Sequence, residues 1–266
     1  MHDSEAFVDI HCHLLPGIDD GAKDWDESLA MARLAVADGI ATIIVTPHQL
    51  GGFAHNCGRQ IRAAALEMQA FLDEHKVPLK VLPGADVRIE AGMIAGLKQG
   101  EVLSLADRRR HVLLELPHEL YMPLDRLLAD LAGVGMVGIL SHPERNQGIL
   151  AHPGVLRTLV DAGCLMQVTA GSVTGAFGVA SQKLSLWMLE QGLVHFISTD
   201  AHGTRSRRPQ MRPAFDCAAQ LMGAETARDL CRRNPALVAA GRSVIGGVRI
   251  TKSRGLGGWL RWKKAG

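Results

Sequence analysis

Val8-Asp9-Ile10-His11-Cys12-His13-Leu14-Leu15-Pro16-Gly17-Ile18-Asp19-Asp20-Gly21, residues 8–21, is the stretch on which the reading of the fold turns. It opens as a short β-rich run, Val8–His11, and passes directly into His11-Cys12-His13. Side chains alternate along a strand with period 2, so His11 and His13 share a face while Cys12 points into the core. Two imidazoles on one face can converge on a cation at roughly 2.0–2.2 Å, the range known for zinc. Alone, such a pair is more often an accident of surface or core. In the loop that follows, Asp19 or Asp20 could reach a metal or orient a ligand histidine. An ordinary Asp-Gly turn before a helix cap accounts for the pair as well.

The same construction recurs along the chain. Further β-rich runs are Thr42–Thr46, Lys80–Pro83, His111–Glu115, Val137–Leu140, Leu165–Val168 and Val194–Ser198. Between them, apolar spacing predicts helices at Trp25–Ala37, Ile61–His75, Leu124–Leu131, Val155–Asp161 and Gln182–Gln191. Gly39, Gly163 and Gly192 suit left-handed C-caps, and Pro213–Leu237 adds helical segments after the last strand. Seven strands with helical crossovers in 266 residues predict an α/β fold, a distorted seven-stranded (β/α)7 barrel of TIM-barrel-like form. One domain is expected over residues 1–248, followed by a basic, flexible tail over 249–266.

Composition agrees with one large core. The chain is 47% hydrophobic and only 4% aromatic, so the core must be mostly Leu, Val, Ile and Ala, as where helices cover parallel strands. The net charge is +2, but residues 230–266 hold nine Lys and Arg and no Asp or Glu, which leaves the body at −7. An acidic body opposes a nucleic-acid groove, and its carboxylates could be neutralised by bound cations. Cys12, Cys57, Cys164, Cys217 and Cys231 are dispersed without a CxxC pair, against a disulfide framework or a thiolate zinc site. No signal peptide or run of ~18 apolar residues is visible, so a cytoplasmic location is expected.

The polar residues gather at the strand ends, where βα barrels place their active sites. Successive runs lead into His11 and His13, His48, Asp86, Glu115, His142, and Asp200 with His202; only the sixth, ending at Gln167 and Thr169, offers no carboxylate or imidazole. Independent accidents would not fill six of seven strand ends this way. Imidazole with carboxylate and no thiolate suits Mn²⁺, Fe²⁺ or Zn²⁺. The ligand count accommodates two or three ions, an arrangement that stabilises attacking and leaving oxygens in phosphoryl transfer. Arg145 and Arg207 lie just beyond His142 and His202. Their planar forks match phosphate oxygens, the alternative being surface ion pairs.

At these residues the chain resembles the PHP (polymerase and histidinol phosphatase) superfamily. More narrowly, it resembles the bacterial PHP-type protein-tyrosine phosphatases of capsule and exopolysaccharide operons. The matching pieces are DIHCHLLPGIDDGA at 9–22, TPH at 46–48, SHPER at 141–145, STDAH at 198–202, RRP at 207–209 and NP at 234–235. The resemblance implies the barrel and a trinuclear site, usually described with manganese. His11, His13, Asp86 and Asp200 would surround one ion; Asp86, Glu115 and His142 the second; Asp20, His48 and His202 the third. Arg145 and Arg207 match arginines that bind phosphate. Asp86 stands where the family commonly has Glu, and Gly203 where Asn often follows the histidine.

The implied reaction is phosphotyrosine hydrolysis without a covalent intermediate, on the tail of a bacterial tyrosine kinase that controls polysaccharide synthesis. A thiol mechanism would need Cys-x5-Arg, but the residues six beyond the cysteines are Ile18, Ala63, Ala170, Gly223 and Leu237. Rival readings are a small-molecule enzyme such as histidinol phosphatase, a PHP nuclease or nucleotide phosphoesterase, and a non-catalytic, metal-stabilised binding module. Trp259, Leu260 and Trp262, flanked by Arg254, Arg261, Lys263 and Lys264, offer a weak contact for anionic lipid; a solvated end explains them equally. Monomer and oligomer are both compatible with this reading.

Overall fold

The computed structural model of the protein describes residues 6–244. The expected tail, 249–266, and its lipid contact lie outside the described residues. The chain runs β1 (Phe7–Cys12), α1 (Trp25–Asp38), β2 (Ile40–Val45), β3 (His48–Gln49), α2 (Gly58–Glu74), β4 (Lys80–Pro83) and β5 (Asp86–Arg88). It continues through α3 (Met93–Gln99), β6 (His111–Glu115), α4 (Asp125–Gly133), β7 (Val137–Ser141), α5 (Gln147–Ala151) and α6 (Val155–Asp161). Then come β8 (Leu165–Thr169), α7 (Ala170–Thr174), α8 (Val179–Glu190), β9 (Phe196–Ser198) and α9 (Arg212–Met222), before further short helical segments. Among the described residues, no helix is long and apolar enough to cross a membrane.

Every expected strand is present, but the described residues contain nine strands in two parallel sheets rather than seven in one. One sheet is β1-β2-β4 and the other β3-β5-β6-β7-β8-β9. The extra strands arise where the ladder breaks. Pro47, which has no N–H to donate, separates β2 from β3. Gly84 separates β4 from β5, and there a Cβ would come within 2.7 Å of the Ile44 side chain. Beyond these breaks β3 and β5 pair afresh, with His48 opposite Asp86. The residues that interrupt the sheet thereby set two site residues side by side.

Strand parity separates an inner apolar layer from the outer core. Ile10, Ile44, Leu82, Leu113, Ile139, Leu165 and Phe196, from β1, β2, β4, β6, β7, β8 and β9, pack together on the inside, with Leu105, Ala106 and Val238. Their strand neighbours, among them Ile43, Val81, Leu114, Leu140, Met166 and Ile197, pack outward in the larger core cluster. On β6 the next inward position after Leu113 is Glu115, and on β8 the one after Leu165 is Gln167. β1 carries one extra residue between Asp9 and Cys12, which lie opposite Ile43 and Val45. This bulge turns Ile10 into the inner layer and His11 into the site above it. Cys12 stays in the outer core, as its parity predicts.

The predicted helix ends also hold. Gly39, at φ 99°, caps α1, and Gly163 and Gly192 follow α6 and α8 with φ of 88° and 66°. α1 begins on Asp24, whose carboxylate accepts the Glu27 N–H at 2.8 Å.

β9 returns to β1. Asp200 N donates to His11 O at 2.7 Å, His13 N donates to Ala201 O at 2.9 Å, and Cys12 and Ala201 form a parallel bridge. Asp9 fastens this seam. Fully buried, it accepts the Thr199 N–H at 3.0 Å, the His11 N–H at 3.2 Å and the Thr199 hydroxyl. Burial, against those hydrogen bonds from Thr199, pushes its carboxyl up to about 6. Asp9→Ala leaves these donors without acceptors and is expected to destabilise the protein by about 3 kcal/mol. The check is the urea midpoint at unchanged m-value; a change below about 1 kcal/mol would deny Asp9 this role.

Candidate metal centre

The strand ends bring all nine expected ligands into one cluster. The Nε2 atoms of His11 and His13 face each other at 3.2 Å. Asp200 Oδ1 lies 3.2 Å from His11 Nε2, 3.5 Å from His13 Nε2 and 3.5 Å from His202 Nδ1. Asp86 Oδ2 is 3.5 Å from His11 Nε2 and 3.7 Å from His48 Nδ1. Glu115 Oε2 is 3.6 Å from His48 Nδ1. Asp20 Oδ1 sits 3.3 Å from the Nε2 of both His48 and His202.

Four overlapping groups have donor atoms within 4.8 Å of one another: His13, Asp20, His48 and His202; His11, His13 and Asp86; His48, Asp86 and Glu115; His11, His142 and Asp200. The first contains the expected third set, and the second most of the first set. In the others, His48 stands beside Asp86 and Glu115, and His142 joins His11 and Asp200.

Asp19 and Asp20 divide the two roles left open by the sequence. Asp19 accepts His13 Nδ1–H at 2.8 Å, the His48 N–H at 3.1 Å and the Gly21 N–H at 2.9 Å. It therefore orients, while Asp20 faces two ring nitrogens. Gly21 permits this close turn, since a Cβ there would lie 2.3 Å from His13 O. Sequence reasoning passed over Gln167, whose Oε1 accepts His11 Nδ1–H at 2.9 Å. The available signal was a polar residue at the inward parity of a buried strand. His202 Nδ1 meets Asp200 O at 3.0 Å. In His11, His13 and His202 an acceptor thus holds Nδ1–H, leaving Nε2 to supply a lone pair to a cation.

The residues fit divalent metal. Both Asp86 oxygens, Asp200 Oδ1 and His202 Nε2 are buried without a hydrogen-bond partner, an arrangement that costs free energy unless a cation compensates it. Burial, reinforced by Glu115, pushes the Asp86 carboxyl up to about 7. Burial takes His11 down to about 3. Burial also opposes charge on His13, but Asp19 and Asp200 push its pKa up to about 10. Without metal, the His13 Nε2 proton therefore faces the His11 lone pair. Against burial, His11 and His13, helped by Arg207, hold Asp200 well below the usual carboxylate range. Burial and Arg145 take His142 well below its ordinary value.

Arg145 and Arg207 stand on the outer side of Asp200. Both donate to its Oδ2, Arg207 at 2.7 Å. Their partner is thus a buried site carboxylate, not a surface acid. The cavity they border measures about 180 Å³ and also meets Asp20, His48, Glu115 and His142. His142, Asp200 and Arg207 all have positive φ, at 31°, 50° and 49°, local strain of the kind that gathers at functional sites.

Parallel strands that deliver imidazoles and carboxylates to one arginine-edged mouth define a metal-dependent α/β hydrolase. The chain belongs to the capsular polysaccharide synthesis CpsB/CapC family, whose family model matches residues 7–240. It is 38% identical over 220 residues to the tyrosine-protein phosphatase YwqE of Bacillus subtilis, covering 82% of this chain and 86% of that protein. To the putative tyrosine-protein phosphatase CapC of Staphylococcus aureus it is 32% identical over 210 residues, 79% of this chain and 82% of that one. Among solved structures it matches one from a study of YwqE from Bacillus subtilis and CpsB from Streptococcus pneumoniae, described as unique metal-dependent tyrosine phosphatases. The TM-score is 0.84 at 35% identity, over 90% of this chain and 96% of that one.

Two outcomes follow from this geometry. Gln167→Leu frees the His11 ring and should weaken metal binding roughly 10- to 100-fold while the fold persists, measured by competition with a chromogenic chelator. With His13 at about 10 in the metal-free protein, it is protonated at pH 7 and must lose that proton to coordinate. Metal binding should therefore release protons and weaken as pH falls. Calorimetry in two buffers of different ionisation enthalpy reads the release, and equal heats would contradict it.

Proposed function

We propose that this protein is a metal-dependent protein-tyrosine phosphatase. Its substrate in this reading is a phosphotyrosine protein of capsule and exopolysaccharide assembly, namely the tail of a bacterial tyrosine kinase. The observation that carries the reading is Asp200, with one oxygen among the imidazoles and the other under both arginines. Metal ligands and phosphate-binding forks thus meet at one carboxylate. The names of the relatives support phosphotyrosine over histidinol phosphate.

The described residues divide the work. Arg145 and Arg207 take the phosphoryl oxygens and offset the charge that builds on them. The nine imidazole and carboxylate residues of the cluster, His11, His13, Asp20, His48, Asp86, Glu115, His142, Asp200 and His202, would hold up to three ions; manganese is our choice, and iron(II) or zinc also suits the donors. When bound, the ions supply Lewis acidity toward phosphorus and toward water. The departing phenolate, with a pKa near ~10, needs little protonation. A thiol mechanism is not part of this reading: no cysteine lines the mouth and none stands in a Cys-x5-Arg spacing. We further read β2 with β3, and β4 with β5, as two interrupted staves, so that the nine strands form a ring of seven. From the sequence we also propose one catalytic domain over residues 1–248 and a cytoplasmic location.

The test is phosphate release from a phosphotyrosine peptide by metal-stripped protein, with and without added Mn²⁺, beside histidinol phosphate. The expected result is Mn²⁺-dependent release from the peptide that survives thiol alkylation and falls at least 100-fold in His11→Ala. Turnover of histidinol phosphate alone would move the function to metabolism. Tight metal and phosphopeptide binding without turnover would identify a binding module.

A further inference from the structure

Phe177 lies in the turn between α7 and α8, outside every motif that marks the site. The guanidinium carbon of Arg145 stands 4.4 Å from the centroid of its ring, and that of Arg207 stands 6.0 Å away. Both distances are within reach of a cation–π interaction, and the first is close. The same guanidiniums meet at Asp200 Oδ2. Two like charges thus converge on one carboxylate oxygen. A third group is needed if both forks are to keep their aim when a phosphoryl group takes part of their hydrogen bonding. A ring face, neutral yet negative at its centre, meets that need without competing for donors.

The turn is built to hold this ring. Gly175 and Gly178 bracket it with φ of +92° and +89°, a backbone that other residues rarely adopt. Gly175 N donates to Ser172 O at 3.2 Å, Ala176 N to Gly171 O at 2.7 Å and Gly178 N to Gly175 O at 3.1 Å. Beneath the ring lies Gly171, where a Cβ would come 2.8 Å from Phe177 Cε2 and 3.1 Å from Cδ2. Glu144, next to Arg145, ties the β7 turn to the end of β8, at the head of α7, by accepting the Thr169 N–H at 3.0 Å. Arginine and ring are thus carried on segments fastened to each other.

We infer that Phe177 is a positioning residue for phosphate recognition: its ring, seated on Gly171, holds Arg145 and Arg207 in their forked approach to the mouth. The inference rests on the reading of these two arginines as phosphate ligands. It accounts for a half-buried aromatic at the rim of a chain with only six Phe, and for a glycine at a helical position with ordinary φ.

The experiment measures the Kd of inorganic phosphate on the Mn²⁺-loaded full chain by calorimetry, which needs no turnover. Phe177→Leu keeps apolar bulk but loses the ring face, and should raise that Kd roughly 5- to 30-fold. Bound metal and Tm should stay near the parent values, and Phe177→Tyr should remain within about twofold of it. Gly171→Ala, which helix propensity favours, should raise the Kd by displacing the ring. In the Phe177→Leu background it should add little, because the ring it displaces is gone.

Arg145→Ala is the reference. If it weakens phosphate binding while Phe177→Leu does not, the inference is overturned. If neither variant moves the Kd, the phosphate seat itself is misplaced and the inference falls with it. Weaker binding of a phosphotyrosine peptide with unchanged inorganic phosphate would make the ring a substrate contact, and would also overturn it. Failure to turn over phosphotyrosine, with these phosphate effects intact, would refute the substrate assignment alone.

Discussion

Asp200 Oδ2 is held by the guanidiniums of Arg145 and Arg207, while Oδ1 faces the imidazoles of His11, His13 and His202 without a hydrogen bond of its own. A buried carboxylate is costly unless its charge is answered on every side. Here the answer comes from elements far apart in the chain: β1, the turn after β7 and the loop after β9. The seam between β1 and β9 has to close for Asp200 to meet His11. The two arginine-bearing segments then fold onto its other edge. The imidazole–carboxylate cluster and the arginine edge are therefore consequences of one electrostatic requirement, and a change at either is felt at the other.

The scaffold meets this requirement by breaking its own regularity. A uniform strand would send Ile10 and His11 to opposite faces; the bulge in β1 turns both inward. Continuous β2 and β4 would carry one ladder past the site, but Pro47 and Gly84 interrupt them and let His48 pair afresh with Asp86. That pairing delivers the Asp86 carboxylate to within 3.5 Å of His11 Nε2 and 3.7 Å of His48 Nδ1. The apolar layer below, from Ile10 to Phe196, closes the floor against water. Desolvation by that floor contributes to the perturbed titration of His11, Asp86 and His142 above it.

Second contacts decide what the imidazoles can do. Gln167 and Asp19 each hold one ring nitrogen of a histidine and so turn the other toward the cluster. A histidine without such a partner would choose its tautomer freely and bind a cation less well. The arginines follow the same logic, since a guanidinium on a long stem has many rotamers and gains selectivity only when something restrains it.

Much of this was legible along the chain because it depends on local periodicity. Alternation of apolar residues marks the strands, glycines mark the helix ends, and the parity of His-Cys-His sends Cys12 outward and both imidazoles inward. Clustering of His, Asp, Glu and Arg just past the strands locates the mouth, since strand ends are where a parallel α/β fold exposes polar groups. What the sequence could not decide is which distant side chains meet. Whether Asp19 or Asp20 faces the cluster depends on a turn packed against His13. Gln167 escapes a local reading because its partner is 156 residues away, and β3 and β5 form only where residues 48–49 meet residues 86–87 across the sheet. Local periodicity is a property of neighbours in the chain; the aim of a buried polar group is a property of neighbours in space, and only the closed tertiary structure supplies them.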